Sequence, residues 1–321
     1  MIQQLSSAPR LILRARLEPT VGSTFQPTGF PNLGPAEFER PVRVDGRVEM
    51  RSALLIESVQ SMANRLEERG WDRAAQAPAR PLRRLPYVEV RDPEGEFLTS
   101  SRLEPHRLAG AYIKNARLED KDVQQWMIER LRVREGLPLE WPAIYAGIFE
   151  LDPLSLVHGV FFSDPAWSRF GNPKVRRAVA ATVEAHDVQP VVSGGVKRDD
   201  VRPEVGEGRG AAEGYGFVPF GRTEYAAGEI ILSAVIDLAQ IRGYGLEPPR
   251  TELLILISLW ELASLLEGPL RLRTACDLTP VQVRIDTPAG LQLPAAAELA
   301  AQIEAIDPGT EREGAWSVVW K

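Results

Sequence analysis

Leu11-Ile12-Leu13-Arg14-Ala15-Arg16-Leu17 alternates along its length. Leu11, Leu13, Ala15 and Leu17 fall on one face, and Arg14 and Arg16 on the other. A period of two with one apolar face marks a half-buried strand. Residues 21–35, rich in Gly, Pro, Ser and Thr, read as a loop. A helix is expected over 52–69, stopped by Gly70, with Leu55, Val59, Met62 and Leu66 as its core stripe. Glu57, Gln60, Ser61, Asn64 and Arg65 lie on its opposite side.

Further along, residues 70–98 carry Arg80, Arg83 and Arg84 between prolines and read as an irregular insertion. Residues 122–134 read as a helix, 144–151 and 156–162 as extended, and 173–186 as a helix with Pro173 near its start. A short strand over 191–196 enters 198–216, a polar, glycine-rich stretch with nothing to pack, which is expected to protrude. Residues 229–238 read as a strand, 251–266 as a buried helix capped by Gly268 and Pro269, and 270–274 as a strand with Arg271 and Arg273 outward. This order implies an α+β fold with helices on one face of the sheet. Arg14, Arg16, Arg271 and Arg273 would then point to the free face or its rim.

Composition narrows the function. The 321 residues are 44% hydrophobic and 26% charged, which suits a packed globular protein. The single cysteine, Cys276, rules out an intrachain disulfide and fits a reducing, cytoplasmic setting. Met1 to Arg10 lacks a basic region followed by an apolar core, so no signal peptide is expected. The longest apolar run, 253–260, is too short for a bilayer that needs about 20 residues, so no membrane partner is expected. Net charge is -6, divided as +4 over residues 1–134 and -10 over the rest. Of the basic residues, 33 are Arg and 5 are Lys. Arginine suits bidentate phosphate contacts, although a GC-rich genome produces the same bias.

Enzymatic signatures are mostly absent. No P-loop spacing or Gly-x-Ser-x-Gly elbow occurs, and Gly214-Tyr215-Gly216 precedes a strand rather than a helix. His106, His158 and His186 have no metal-ligand spacing, and no cofactor is implied. His158 reads as a satisfied core or edge residue, and Cys276 as a small hydrophobe. Asp199 and Asp200 suit a nuclease metal site, but a solvated loop is the plainer reading.

Three polar clusters remain. The first runs from Gly22 to Phe30, where Ser23, Thr24 and Gln26 offer polar groups and Phe25 or Phe30 a stacking surface. The second is Thr99-Ser100-Ser101-Arg102 with His106 and Arg107, whose hydroxyls and guanidinium groups suit phosphate, though Ser and Thr also cap helices. The third joins Ser193-Gly194-Gly195-Val196-Lys197 to Arg222 and Thr223 across the glycine-rich stretch, a clamp for a nucleic-acid backbone.

Several of these segments occur together in one known family. They are Glu57-Ser58-Val59-Gln60-Ser61-Met62-Ala63-Asn64-Arg65-Leu66-Glu67, Ser100-Ser101-Arg102-Leu103-Glu104-Pro105-His106-Arg107, and Leu151-Asp152-Pro153-Leu154-Ser155-Leu156-Val157-His158-Gly159-Val160-Phe161-Phe162. Ser193-Gly194-Gly195-Val196-Lys197 and Leu270-Arg271-Leu272-Arg273-Thr274-Ala275-Cys276-Asp277-Leu278 complete the set. In this order they resemble the RAMP-superfamily backbone subunit, the Cas-seven type, of type I-U (now I-G) CRISPR effector, or Cascade, complexes. The likeness runs from about residue 21 to 278.

The resemblance implies a single domain over 1–321, an RRM-like (ferredoxin-like) palm with large insertions, among them 70–150, and a protruding thumb loop at 198–216. It implies that copies of the chain line one CRISPR RNA beside other Cascade subunits. The guide pairs with a target DNA strand, and a separate helicase-nuclease cuts. Expected RNA contacts are Ser23, Thr24 and Gln26; Ser58, Ser61, Asn64 and Arg65; Ser100, Ser101, Arg102, His106 and Arg107; Gly194, Gly195, Lys197, Arg222 and Thr223; and Arg271 and Arg273. The alternative is a metal-dependent ribonuclease that cuts target RNA with Asp199 and Asp200.

Overall fold

The alternating segment at 11–17 lies inside the largest sheet. The computed structural model describes residues 2–30, 32–197 and 218–320. In chain order the sheet and its surroundings comprise β1 (Leu11–Pro19), β2 (Gly34–Val44), β3 (Arg47–Glu57), α1 (Val59–Glu67), β4 (Val179–His186), β5 (Gln189–Lys197), β6 (Val218–Ala226), β7 (Glu229–Ile236), α2 (Pro248–Glu267), β8 (Leu270–Arg273) and β9 (Cys276–Thr287). The sheet runs β8-β9-β1-β7-β4-β3-β2 and ends on the short strand Gly29–Phe30. Every neighbouring pair is antiparallel.

One face of this sheet is dry. Leu11, Leu13, Ala15 and Leu17 of β1 are buried, with Val179, Ala181, Val183 and Ala185 of β4 and Ile230, Leu232, Ala234 and Ile236 of β7. They share one apolar core with Met62 and Leu66 of α1 and the leucines of α2. The other face is open, as the alternation predicts. Arg14 pairs there with Asp286 at 2.9 Å and Arg16 with Glu18 at 3.2 Å. β5 and β6 leave the sheet as a separate hairpin, paired from Gln189↔Ala226 to Lys197↔Val218. The stretch 198–216, with Asp199 and Asp200, lies outside the described residues.

The expected strands at 11–17, 191–196, 229–238 and 270–274 and the helix at 251–266 are present, and 122–134 contains the helix Val123–Arg130. Other segments differ. Residues 52–57 belong to β3, and α1 begins only after Ser58, whose side chain accepts from the Ser61 amide at 3.3 Å. Leu55 is therefore a strand residue, and Val59 is exposed. The segment 173–186 is largely extended: its alanines suit a helix, but Val179, Thr182 and Val183 fit a central strand. Residues 144–151 are helical within Trp141–Leu151, and 156–162 is divided, its first three residues ending the helix Leu154–His158 and Val160–Phe161 forming a short strand. Short apolar runs do not separate helix from strand by periodicity. Residues 70–98 are not simply irregular. Tyr87–Arg91 and Phe97–Ser100 join a second sheet, in which Ala315–Trp320 runs parallel to Tyr87–Arg91.

The second polar cluster belongs to the interior. Ser100 and Ser101 are fully buried, and the Ser101 hydroxyl donates to Asp152 at 2.7 Å. Arg102 donates to the carbonyls of Leu82, Leu85 and Pro86 at 3.2–3.3 Å and lies 3.6 Å from Asp152. Arg107 grips both oxygens of Glu67 at 2.5 and 2.8 Å and reaches the Gly159 carbonyl at 3.0 Å. These four residues brace the core behind α1, which corrects their reading as phosphate contacts. His106 is exposed.

His158 and Glu261 also face each other in the core, 2.9 Å apart and without solvent exposure. Burial opposes the charge on His158, but the Glu261 and Glu67 carboxylates outweigh it, and the imidazole pKa is raised. A raised native pKa favours the fold fully below the unfolded value of about 6.5 and loses that contribution as pH climbs through the native value. Unfolding free energy, measured by denaturant titration, is expected to fall as pH rises above about 6.5. His158→Gln is expected to remove this component of the fall. Arg102→Ala leaves Asp152 buried without its cation and is expected to cost roughly 3–5 kcal/mol in the same assay, and Arg107→Ala less, because the Glu67 left behind is only partly buried.

Candidate nucleic-acid interface

Ser58 caps α1 because it follows an extended strand and turns its oxygen back onto the first helical turn. The preceding residue, Glu57, is 2% exposed. Its carboxylate accepts from the Ser61 hydroxyl and from Arg273 at 2.8 Å, and Arg65 stands 3.9 Å away. Arg65 also donates to the Leu272 carbonyl at 2.7 Å, tying α1 to β8. Strand end, helix start and β8 thus meet at one acid.

The loop after β1 is fastened to the same place. Phe25 is 1% exposed and exchanges backbone hydrogen bonds with Tyr225 of β6 at 2.8 and 2.9 Å. The Gln26 amide donates to the Ala275 carbonyl at 2.7 Å. Arg273 donates to the Gln26 carbonyl at 3.1 Å and to the Thr28 hydroxyl. Phe25 is consequently an anchor and offers no stacking surface; the Phe30 side chain lies outside the described residues.

The hairpin base closes the arrangement. Glu224 accepts from the Thr24 hydroxyl at 3.0 Å and pairs with Arg222 at 3.1 Å, while Arg222 also donates to Ser193 at 3.3 Å. Tyr225 donates its phenol proton to Glu37. Burial, helped by that bond and the Glu37 charge, pushes its pKa up to about 12. Gly195 faces Phe220, and a Cβ there would lie 2.8 Å from the Phe220 ring. The glycine lets the half-exposed ring lie flat across the hairpin. Gly194 is exposed, and a Cβ there would lie 3.1 Å from the Phe220 carbonyl.

The fold therefore unites the first and third clusters with Ser58, Ser61, Arg65 and Arg273, while Asn64 of α1 lines a separate cavity with Glu67, Trp71 and Arg102. Ser23, Ser58, Asn64, Arg222, Thr223 and Arg271 are exposed; Thr24, Gln26, Ser61, Arg65 and Arg273 are partly buried and bonded within the chain. The Lys197 side chain lies outside the described residues. Sequence reading missed Glu57, placed on the wet side of a longer helix, and Phe220, whose signal was the facing glycine pair. Exposed hydroxyls and the Arg222 guanidinium at this edge suit phosphate and sugar contacts rather than base reading. Among the described residues no three His, Cys, Asp or Glu converge as metal ligands. Nor is any helix of the described residues long and apolar enough to cross a membrane.

No curated protein matches the sequence significantly. A chain of a solved "CRISPR RNA-guided surveillance complex, pre-nicking" is 14% identical, with 86% of this chain and 75% of that chain covered and a TM-score of 0.42. A chain of another "CRISPR RNA-guided surveillance complex" is 13% identical, with 94% and 76% covered and a TM-score of 0.35. The family model for CRISPR-associated protein GSU0053 matches residues 11–190, more than half of the chain. The chain belongs to that CRISPR-associated family, in agreement with the Cas-seven-type resemblance of its motifs.

Proposed function

We propose that this chain is a non-catalytic backbone subunit of a type I-G CRISPR interference complex, several copies of which line one CRISPR RNA and present it to a target DNA strand. The observation that carries the reading is the convergence of loop 21–28, the start of α1, the end of β8 and the base of the β5–β6 hairpin on one polar edge. The order β9-β1-β7-β4, with α1 between β1 and β4 and α2 between β7 and β9, supports an RRM-like palm. The β5–β6 hairpin, inserted between β4 and β7, supports a thumb at this point of the chain.

In this reading guide pairing reads the sequence, so the subunit needs only to hold the backbone. Arg222 and Lys197 supply charge, and Ser23, Ser58 and Thr223 supply hydrogen bonds. The overall charge of -6 discourages binding away from the edge. Other Cascade subunits complete the particle, and a separate helicase-nuclease cuts the DNA.

Produced together with its guide RNA, the protein is expected to purify as a ribonucleoprotein with several copies per guide, whose assembly weakens steeply with salt as counterions are released. Arg222→Glu and Lys197→Glu are expected to impair assembly while leaving the thermal midpoint nearly unchanged. Target RNA is expected to stay intact with Mg²⁺ or Mn²⁺ present. A protein that remains RNA-free and monomeric overturns the reading.

A further inference from the structure

Glu57 is an expensive residue where it stands. It ends β3 opposite Val183 of β4, is 2% exposed, and follows the fully apolar run Ala53-Leu54-Leu55-Ile56. A carboxylate in such a position persists only when it is paired and hydrogen-bonded. Here its two oxygens have different tasks. Oε2 takes the Ser61 hydroxyl in the first turn of α1. Oε1 takes Nη2 of Arg273 at 2.8 Å, with Arg65 3.9 Å away.

The guanidinium is rigid and planar, so fixing one edge of it aims the rest. With Nη2 of Arg273 held by Glu57, its Nη1 lies 3.1 Å from the Gln26 carbonyl, and Nη2 also reaches the Thr28 hydroxyl. The loop is then held from two sides. Tyr225 grips Phe25 from the hairpin, and Arg273 grips Gln26 and Thr28 from the sheet.

We infer that Glu57 is a positioning residue of the guide-strand edge: through Arg273 it fixes loop 21–28, and through Ser61 the first turn of α1, without itself touching RNA. The inference rests on the function proposed above and adds to it the group that shapes the edge. It also makes a prediction that charge counting contradicts. Removing a carboxylate beside a polyanion site raises the local positive potential, which by itself tightens binding. A positioning role demands the opposite, because the loop loses its second anchor.

The test compares wild type, Glu57→Gln, Arg273→Gln and the double variant, each titrated with guide RNA over a range of salt. Amide hydrogen exchange is followed in the free proteins. Glu57→Gln is expected to weaken RNA binding about tenfold, the scale of one lost charge-assisted hydrogen bond. The salt slope is expected to stay constant, since the phosphates contacted are the same in number. Exchange at Phe25 and Gln26 is expected to accelerate, and the double variant to bind no more weakly than Arg273→Gln alone. Should Glu57→Gln fail to fold, Thr28→Val at an exposed site carries the test, with faster loop exchange and weaker RNA binding expected. Unchanged loop exchange, or RNA binding as tight as wild type or tighter, in the variant that folds overturns the inference. Absence of RNA binding by wild type sinks the proposed function instead, while the exchange data still decide whether Glu57 shapes the loop.

Discussion

One-sided burial of β1 is the constraint from which the rest follows. Its apolar residues close the core against α1 and α2, and its antiparallel neighbours β7 and β9 take up its backbone groups on both edges. A strand locked this way delivers its C-terminal end to a fixed point on the rim. There Thr20 donates to the Asp277 carbonyl at 2.8 Å, and the chain turns into loop 21–28. Loops carry function when a rigid scaffold positions them. This loop is tied to sheet and hairpin at once, so its shape depends on the whole fold as well as on Gly22, whose φ is +75°.

The same geometry explains why the polar edge is internally neutralised. Arg65 and Arg273 share the buried Glu57, and Arg222 leans on Glu224, which is 9% exposed. An unpaired cluster of guanidinium groups would repel itself before any polyanion arrived. Pairing them with buried or nearly buried carboxylates keeps the side chains oriented, so that on the proposed function less conformational freedom would be lost when a strand lies down. Such a surface gains affinity from preorganisation more than from net charge, which is consistent with a chain that is anionic overall.

How much of this was legible in the sequence depended on whether a pattern was local. Period-two alternation at 11–17 and 229–238, and the uninterrupted apolar helix within 251–266, report their own environment and were read correctly. The four-strand core was harder, because β4 mixes three alanines, which suit either helix or strand, with three β-branched residues that decide only in the company of neighbours. The second sheet was unreadable for a different reason. It pairs Tyr87–Arg91 with a strand more than two hundred residues away, and no local period encodes that partner. At the edge itself, the polar residues were recognisable by type. Glu57 was not, since assigning the end of β3 to the helix put its side chain in water. Burial reverses the meaning of an acid: on a wet face it is a solvated charge, and at a strand end it is an anchor.

Arginine usage carries the same lesson one step further. A guanidinium has five donors in a plane, and the fold spends many of them on its own carbonyls. Arg242 donates to Leu5 and Ala8 at 3.1 and 2.6 Å, and Arg250 to Pro308 and Gly309 at 3.0 and 2.6 Å. Arg102 takes three carbonyls, Arg107 one carbonyl and a carboxylate, and Arg65 and Arg273 one carbonyl each. Lysine, with a point charge on a flexible stem, cannot staple two chain segments in this planar way. The excess of arginine is therefore partly an architectural demand, satisfied inside the protein. On the proposed function, the arginines available to a polynucleotide are those without carbonyl partners whose carboxylate partners only steer them, and at the polar edge Arg222 meets that condition.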